Sequence, residues 1–230
     1  MTVLGLETST AVCGVAVVSD EGWSVERAVI EEHIHSEKLL TLVNDVIREA
    51  TMTLEDLSAI AVSVGPGSFT GLRIGLSSAK GLCYALEKPL LAVPTFDAIA
   101  ADVAMRGVSS SQLVIAVDAK RNDYYVATYS IREGLTQNDE EVSVFSEEEL
   151  VRKLRSMPGA LLITDRTKHL SQAVGSSLTV QPMLDYCHAS TVATVGIKKF
   201  LAKEFSDLAS TEPMYLKDFV VLTKQTSFHT

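Results

Sequence analysis

The chain has 230 residues, enough to bury a sizeable core as one large domain or two small lobes. Hydrophobic residues make up 47% and charged residues 21%, which excludes a disordered or fibrous chain. A net charge of -9 argues against gripping nucleic acid unaided. The charge is unevenly placed: residues 1–105 hold 6 basic and 14 acidic residues, whereas 106–230 hold 14 and 15.

The opening MTVLGLETST lacks the basic flank and apolar run of a signal peptide, and no window approaches about 18 uninterrupted apolar residues. A cytoplasmic location without membrane contact is expected. Cys13, Cys83 and Cys187 are odd in number and show no Cys-x-x-Cys spacing, as expected of small core thiols in a reducing compartment.

In chain order, alternation predicts strands at about 3–7 and 12–18, joined by a polar turn of Thr8, Ser9 and Thr10. A third strand follows, with Trp23, Val25, Ala28 and Ile30 as its apolar positions. The period then changes, and HSEKLLTLVNDVIREA places Leu39, Leu42, Val43, Val46 and Ile47 on one helical face, with Ser36 as the expected N-cap and Leu40 off the face. An apolar strand at 57–65, a helix at about 70–86, the strand PLLAVP and a helix from TFDAIAADVAMRG complete a first lobe.

Gly107 and the serines at 109–111 mark a boundary, which divides the chain into lobes of residues 1–106 and 107–230. Beyond it SQLVIAVDAKRNDYYVATYSI repeats strand, polar turn, strand, with Asp118 ending the apolar run as Glu7 does in the first lobe. A degenerate internal duplication is inferred. Helices at about 147–156 and 191–205 and a strand at 160–164 follow, and the tail EPMYLKDF is expected to end the fold as an extended segment, with the last segment packing back on the first lobe.

The segment SVGPGSFTGLRIGLSSAKG (63–81) invites a phosphate-loop reading and resists it. A P-loop needs Lys followed by Ser or Thr after its glycines, and Gly65, Gly67 and Gly71 miss dinucleotide-loop spacing by one residue. Gly71, Gly75 and Ala79 instead lie four apart on one helical stripe, a pattern for close backbone approach. With Leu72 and Leu82 they are read as a packing surface, internal or between subunits, and Arg73 beside them as an ion-pair or anion contact, or else a solvated charge. His33 and His35, two apart, do not share a face for one metal. Glu7, Thr8, Ser9, Thr10 and Asp118 are weak candidates for nucleotide binding in facing hairpin turns, and no nucleophile–base set can be assembled from spacing.

The blocks ETST (7–10), HSEKLL (35–40), GPGSFTGLRIG (65–75), VDAKRNDYY (117–125) and EPMYLK resemble the bacterial accessory subunits called TsaB or YeaZ, from the first strand to about residue 217. The resemblance implies an α/β fold like that of the actin, hexose kinase and Hsp70 superfamily, with two duplicated lobes, each a mixed sheet flanked by helices. It further implies a non-catalytic partner that binds and activates TsaD, the subunit that transfers threonylcarbamoyl to N6 of adenosine 37 in tRNAs reading codons that begin with adenine. The ATPase TsaE joins the pair, tRNA is met through the complex, and a homodimer forms when TsaD is absent.

The catalytic relative holds its metal with two histidines four apart. Here His35 is followed by Leu39, so neither a metal nor another cofactor is expected. First-lobe helices are implied as the interface, through Leu39, Leu40, Val43, Gly71, Leu72, Gly75, Ala79 and Leu82, so that Gly75→Leu should abolish assembly and spare the fold. The alternatives are a metal- or ATP-dependent enzyme of the same fold, glycoprotease-like or a small kinase, and a self-sufficient homodimeric binding module.

Overall fold

The computed structural model describes residues 1–216. Two five-stranded mixed sheets carry the fold. In the first, β1 (Thr2–Glu7), β2 (Val12–Ser19) and β3 (Ser24–Ile30) run antiparallel, and β4 (Ala59–Ser63) and β5 (Leu90–Val93) add in parallel, in the order β3-β2-β1-β4-β5. Helices α1 (His35–Glu49), α2 (Phe69–Leu86) and α3 (Thr95–Met105) alternate with the later strands.

The second half repeats this plan. Strands β6 (Gln112–Asp118), β7 (Asp123–Arg132), β8 (Leu135–Ser146), β9 (Leu161–Thr164) and β10 (Thr179–Pro182) pair in the order β10-β9-β6-β7-β8, with helices α4 (Glu147–Arg155), α5 (Thr167–Val174) and α6 (Ala189–Leu201) in the matching places. The shared strand order, two antiparallel pairings followed by two parallel ones, is the duplicated actin-like arrangement expected from the blocks above.

Strands β1 and β2 are apolar at nearly every position because both faces of the first sheet are covered. Leu4, Leu6, Val15 and Val17 meet α1 and α2 in one core, whereas Val3, Ala16 and Val18 meet α6 in another. The last helix of the second half thus lies on the first sheet. The approach is close: a methyl at Gly5 would sit 2.2 Å from the Ala189 carbonyl oxygen. Reciprocally, Phe96, Ile99 and Val103 of α3 pack with Leu113, Ile115 and Tyr129 of the second sheet. Burial of this kind contributes about 25 cal/mol per Å² of apolar surface, and the exchanged helices join the two sheets through it.

The chain after α6 returns along the first sheet as a strap. Ser206 donates its amide to the Leu90 carbonyl and its hydroxyl accepts from the Ala92 amide, which covers the β5 edge. Further on, the Met214 amide donates to the Val64 carbonyl at 2.7 Å. Residues 217–219, the end of the expected extended tail, lie outside the described residues.

Some boundaries differ from expectation. Helix α1 starts at His35, with Ile34 at the N-cap position and no side-chain cap, so Ser36 lies in the first turn instead of capping it. Trp23 precedes β3 and Ile30 is exposed, because β3 is an edge strand whose outer side meets solvent. Strands β8 and β10 and helix α5 were not anticipated at all.

Candidate functional site

The β1–β2 turn is where a two-lobed nucleotide enzyme would present an anion site, and here the chain itself fills it. Glu7 is 1% exposed, and its Oε1 accepts from the Ser9 amide at 2.6 Å and the Ser9 hydroxyl at 2.5 Å. Burial pushes the Glu7 carboxyl up from its usual range, and the Ser9 bonds oppose this only in part. Thr8 and Ser9 are also buried, with Thr10 half-buried beside them.

What seals the turn is the start of α2. After the cis Gly65–Pro66 peptide, Ser68 caps the helix by accepting from the Gly71 amide, and donates its own amide to the Ser9 carbonyl at 2.7 Å. A methyl on Gly67 would sit 2.4 Å from the Ser9 carbonyl oxygen, one on Gly71 2.1 Å from the Thr8 carbonyl oxygen, and one on Gly75 2.1 Å from Thr8 Oγ1. Gly71 lets α2 lie directly on the Thr8 carbonyl, and Gly75 lets it lie on the Thr8 side chain. Thr8 Oγ1 has no hydrogen-bond partner among the described residues, so polarity has been sacrificed to close packing.

Of the residues expected at the interface, Gly71, Leu72, Gly75 and Ala79 are buried against the chain's own core, as are Leu39 and Val43 of α1. Gly75→Leu would therefore attack the fold itself. Leu82 is half-buried and packs on the first core, whereas Leu40 is 55% exposed. The outer face of α2 consists instead of Thr70, Arg73, Ser77, Gly81 and Tyr84.

Arg73 has an identifiable contact. Its guanidinium carbon stacks 3.8 Å from the Phe69 ring centroid, and Nε donates to the Tyr215 hydroxyl at 2.8 Å, which ties the strap to α2. His35 is buried, with Nε2 3.1 Å from the Val12 carbonyl, and so anchors α1 to β2. His33 stands before the helix with φ 64, off the face that His35 occupies.

The tip of the matching β6–β7 turn is exposed. Lys120, Arg121 and Asn122 all have positive φ, at 66, 60 and 60, a run that side chains other than glycine adopt at a cost. Asp118 at its edge pairs with Arg166 and with Lys120. Burial works against its charge, yet the bonds from Arg166 and Lys120 outweigh it and hold the carboxyl below its usual value.

One polar group escaped the sequence reading altogether. Arg106 pairs with Asp102 at 2.8 Å, lies 2.9 Å from His188 Nε2 and stacks on Tyr186. Glu26 of β3 accepts from the Ser190 hydroxyl at 2.7 Å. Together they fasten α3, α6 and β3 where the halves meet. The i,i+4 spacing of Asp102 and Arg106 was the only signal in the sequence.

Comparison with known proteins agrees with this architecture. Residues 29–218 match the family model described as TsaD: tRNA N6-adenosine threonylcarbamoyltransferase. The TsaB tRNA threonylcarbamoyladenosine biosynthesis protein of Escherichia coli is 30% identical over 160 residues, 69% of this chain and 68% of the relative. That of Bacillus subtilis is 32% identical over 138 residues, 60% of this chain and 58% of the relative. The solved structure of YeaZ from Pseudomonas aeruginosa superposes with a TM-score of 0.80 at 26% identity, covering 94% of this chain and 99% of that one. With its fold, its ETST turn and its glycine-rich α2 in place, the chain belongs to the TsaB (YeaZ) family, whose members serve tRNA threonylcarbamoyladenosine biosynthesis.

Proposed function

We propose that this chain is the non-catalytic partner of TsaD: it binds and activates the transferase that makes N6-threonylcarbamoyladenosine at position 37 of tRNAs reading codons that begin with adenine. The observation that carries the reading is the sealed first turn. A scaffold can spend its glycine-rich helix on closing its own anion site, whereas an enzyme of this fold needs that turn open.

The outer face of α2 supports a pairing role. Gly81 sits in a helix interior with nothing among the described residues within 4 Å of the place where a methyl would stand. A glycine there costs roughly 1 kcal/mol against alanine, and no contact among the described residues offsets it. Tyr84 beside it is 83% exposed, and Leu40 of α1 is also exposed. A partner backbone approaching at Gly81 accounts for all three. In this reading the lobe of residues 1–106 carries the interface and residues 107–230 form the second lobe. TsaE joins the pair, tRNA is reached through the complex, and a second copy takes the same face when TsaD is absent.

Free thiols at Cys13, Cys83 and Cys187 suit the cytoplasm, where such a complex would work. The test is reconstitution of tRNA modification by TsaD and TsaE with and without this chain. A rate that rises at least tenfold on addition is the expected outcome. An unchanged rate refutes the reading.

A further inference from the structure

Between α2 and the strap runs an open groove of about 370 Å³, with Arg73, Leu76, Ser77 and Lys80 on the helix side and Thr211, Glu212, Pro213 and Tyr215 opposite. The helix residues fall at i, i+3, i+4 and i+7, so they form one face. The far wall is held at both ends, by Ser206 on Leu90 and by Met214 on Val64, and Asp207 braces it by accepting from the Ala209 and Ser210 amides and the Ser210 hydroxyl. The groove is thus formed before anything enters it.

Its lining carries two bases, Arg73 and Lys80, against one acid, Glu212, within a half of the chain that is strongly acidic. Of the six basic residues in 1–105, Arg27 pairs with Glu49, Arg48 pairs with Asp45, and Lys88 donates to the Glu55 carbonyl. Lys38 is a solvated charge on α1. The remaining two, Arg73 and Lys80, share this groove, and among the described residues no carboxylate forms an ion pair with either. Asp207 feels the Lys80 charge, but its bonding is spent on its own turn. Arg73 uses Nε on Tyr215, and its terminal nitrogens have no hydrogen-bond acceptor among the described residues.

We infer that this groove receives an acidic segment of the partner protein, whose carboxylates pair with Arg73 and Lys80 over the apolar floor of Leu76. The inference rests on the pairing role proposed above and adds its polarity. An extended segment with an acid at each end matches two cations spaced along an open groove, and a preformed groove loses little entropy on accepting it.

The test is titration calorimetry of TsaD into this chain at low and high salt. Lys80→Glu, which breaks no bond within the described residues, should weaken binding on the order of tenfold and flatten its salt dependence. Arg73→Gln should do the same to a lesser degree. Lys198→Glu on α6 changes net charge equally and should leave affinity unchanged. Wild-type affinity in Lys80→Glu, with the salt dependence kept, overturns the inference while the pairing role stands; failure of the wild type to bind TsaD overturns both. In a parallel titration, ADP or inorganic phosphate binding to the wild type alone and lost in Lys80→Glu would identify a small anion as the occupant and also overturn the inference.

Discussion

The two halves share strand order and helix placement, yet their first hairpin turns have opposite fates. At Glu7–Thr10 the turn lies beneath an 18-residue helix whose glycines rest on its backbone. At Asp118–Asp123 the equivalent helix, α5, has 8 residues, and Lys120, Arg121 and Asn122 at the tip of the turn are exposed, with its acid held by Arg166 and Lys120. Identical topology therefore leaves the two turns packed differently, because Gly71 and Gly75 let one helix close on its turn. The helix that closes the turn offers its other face outward, as the pairing role proposed above requires.

The strongest way to break this contrast is to put side chains back under α2. Gly71→Ala drives a methyl into the Thr8 carbonyl, a backbone atom that cannot swing aside, and should cost about 3 kcal/mol in urea denaturation. Gly75→Leu should do more harm still. If either variant retains wild-type stability, α2 does not seal the turn as described.

A second test uses pH. Glu7 is raised when folded, so the native state binds more protons than the unfolded one above the ordinary glutamate range, and stability falls as pH rises through the folded value. Wild type should thus lose ground to Glu7→Gln as pH is raised. Asp118 is lowered when folded, so its contribution is present above the ordinary aspartate range and lost as pH falls through the folded value. Wild type should lose its advantage over Asp118→Asn on acidification. Parallel slopes in the two comparisons would remove the distinction between a sealed and an open turn.

The smaller effects sharpen the picture. Gly81→Ala, in open space, should stabilise the free chain by about 0.5–1 kcal/mol, opposite in sign to the same change at Gly71. Arg166→Ala should cost under about 1 kcal/mol, because that pair is partly solvated.

Much of this was legible in the residues. The apolar face of α1, the existence of α3 and the repeated strand–turn–strand all follow from periodicity and turn chemistry, which are local. What was missed is instructive. Strand β8 reads LTQNDEEVSVFS, an exposed edge whose polar face hides the alternation, and β10 holds only four residues ending in proline. The stripe Gly71, Gly75, Ala79 was correctly read as a close-packing surface, but one sequence cannot say whether the approaching backbone belongs to the same chain. Thr8 lies more than sixty positions away, and only the fold brings it there. Gly81, six positions beyond Gly75, breaks the four-residue rhythm and so belongs to no stripe that the sequence displays. Arg73 acquired its contact from Tyr215, 142 positions away.

The central claim is that α2 has two faces, one that closes the chain's own turn and one that meets the partner. Gly81→Leu tests it directly, since nothing among the described residues lies within 4 Å of where its first side-chain carbon would stand. Denaturation of the free variant and tRNA modification in the presence of TsaD and TsaE should be measured on one preparation. The expected result is stability within about 1 kcal/mol of wild type with complex formation and stimulation lost. A Gly81→Leu chain that assembles and stimulates as well as wild type would contradict the claim.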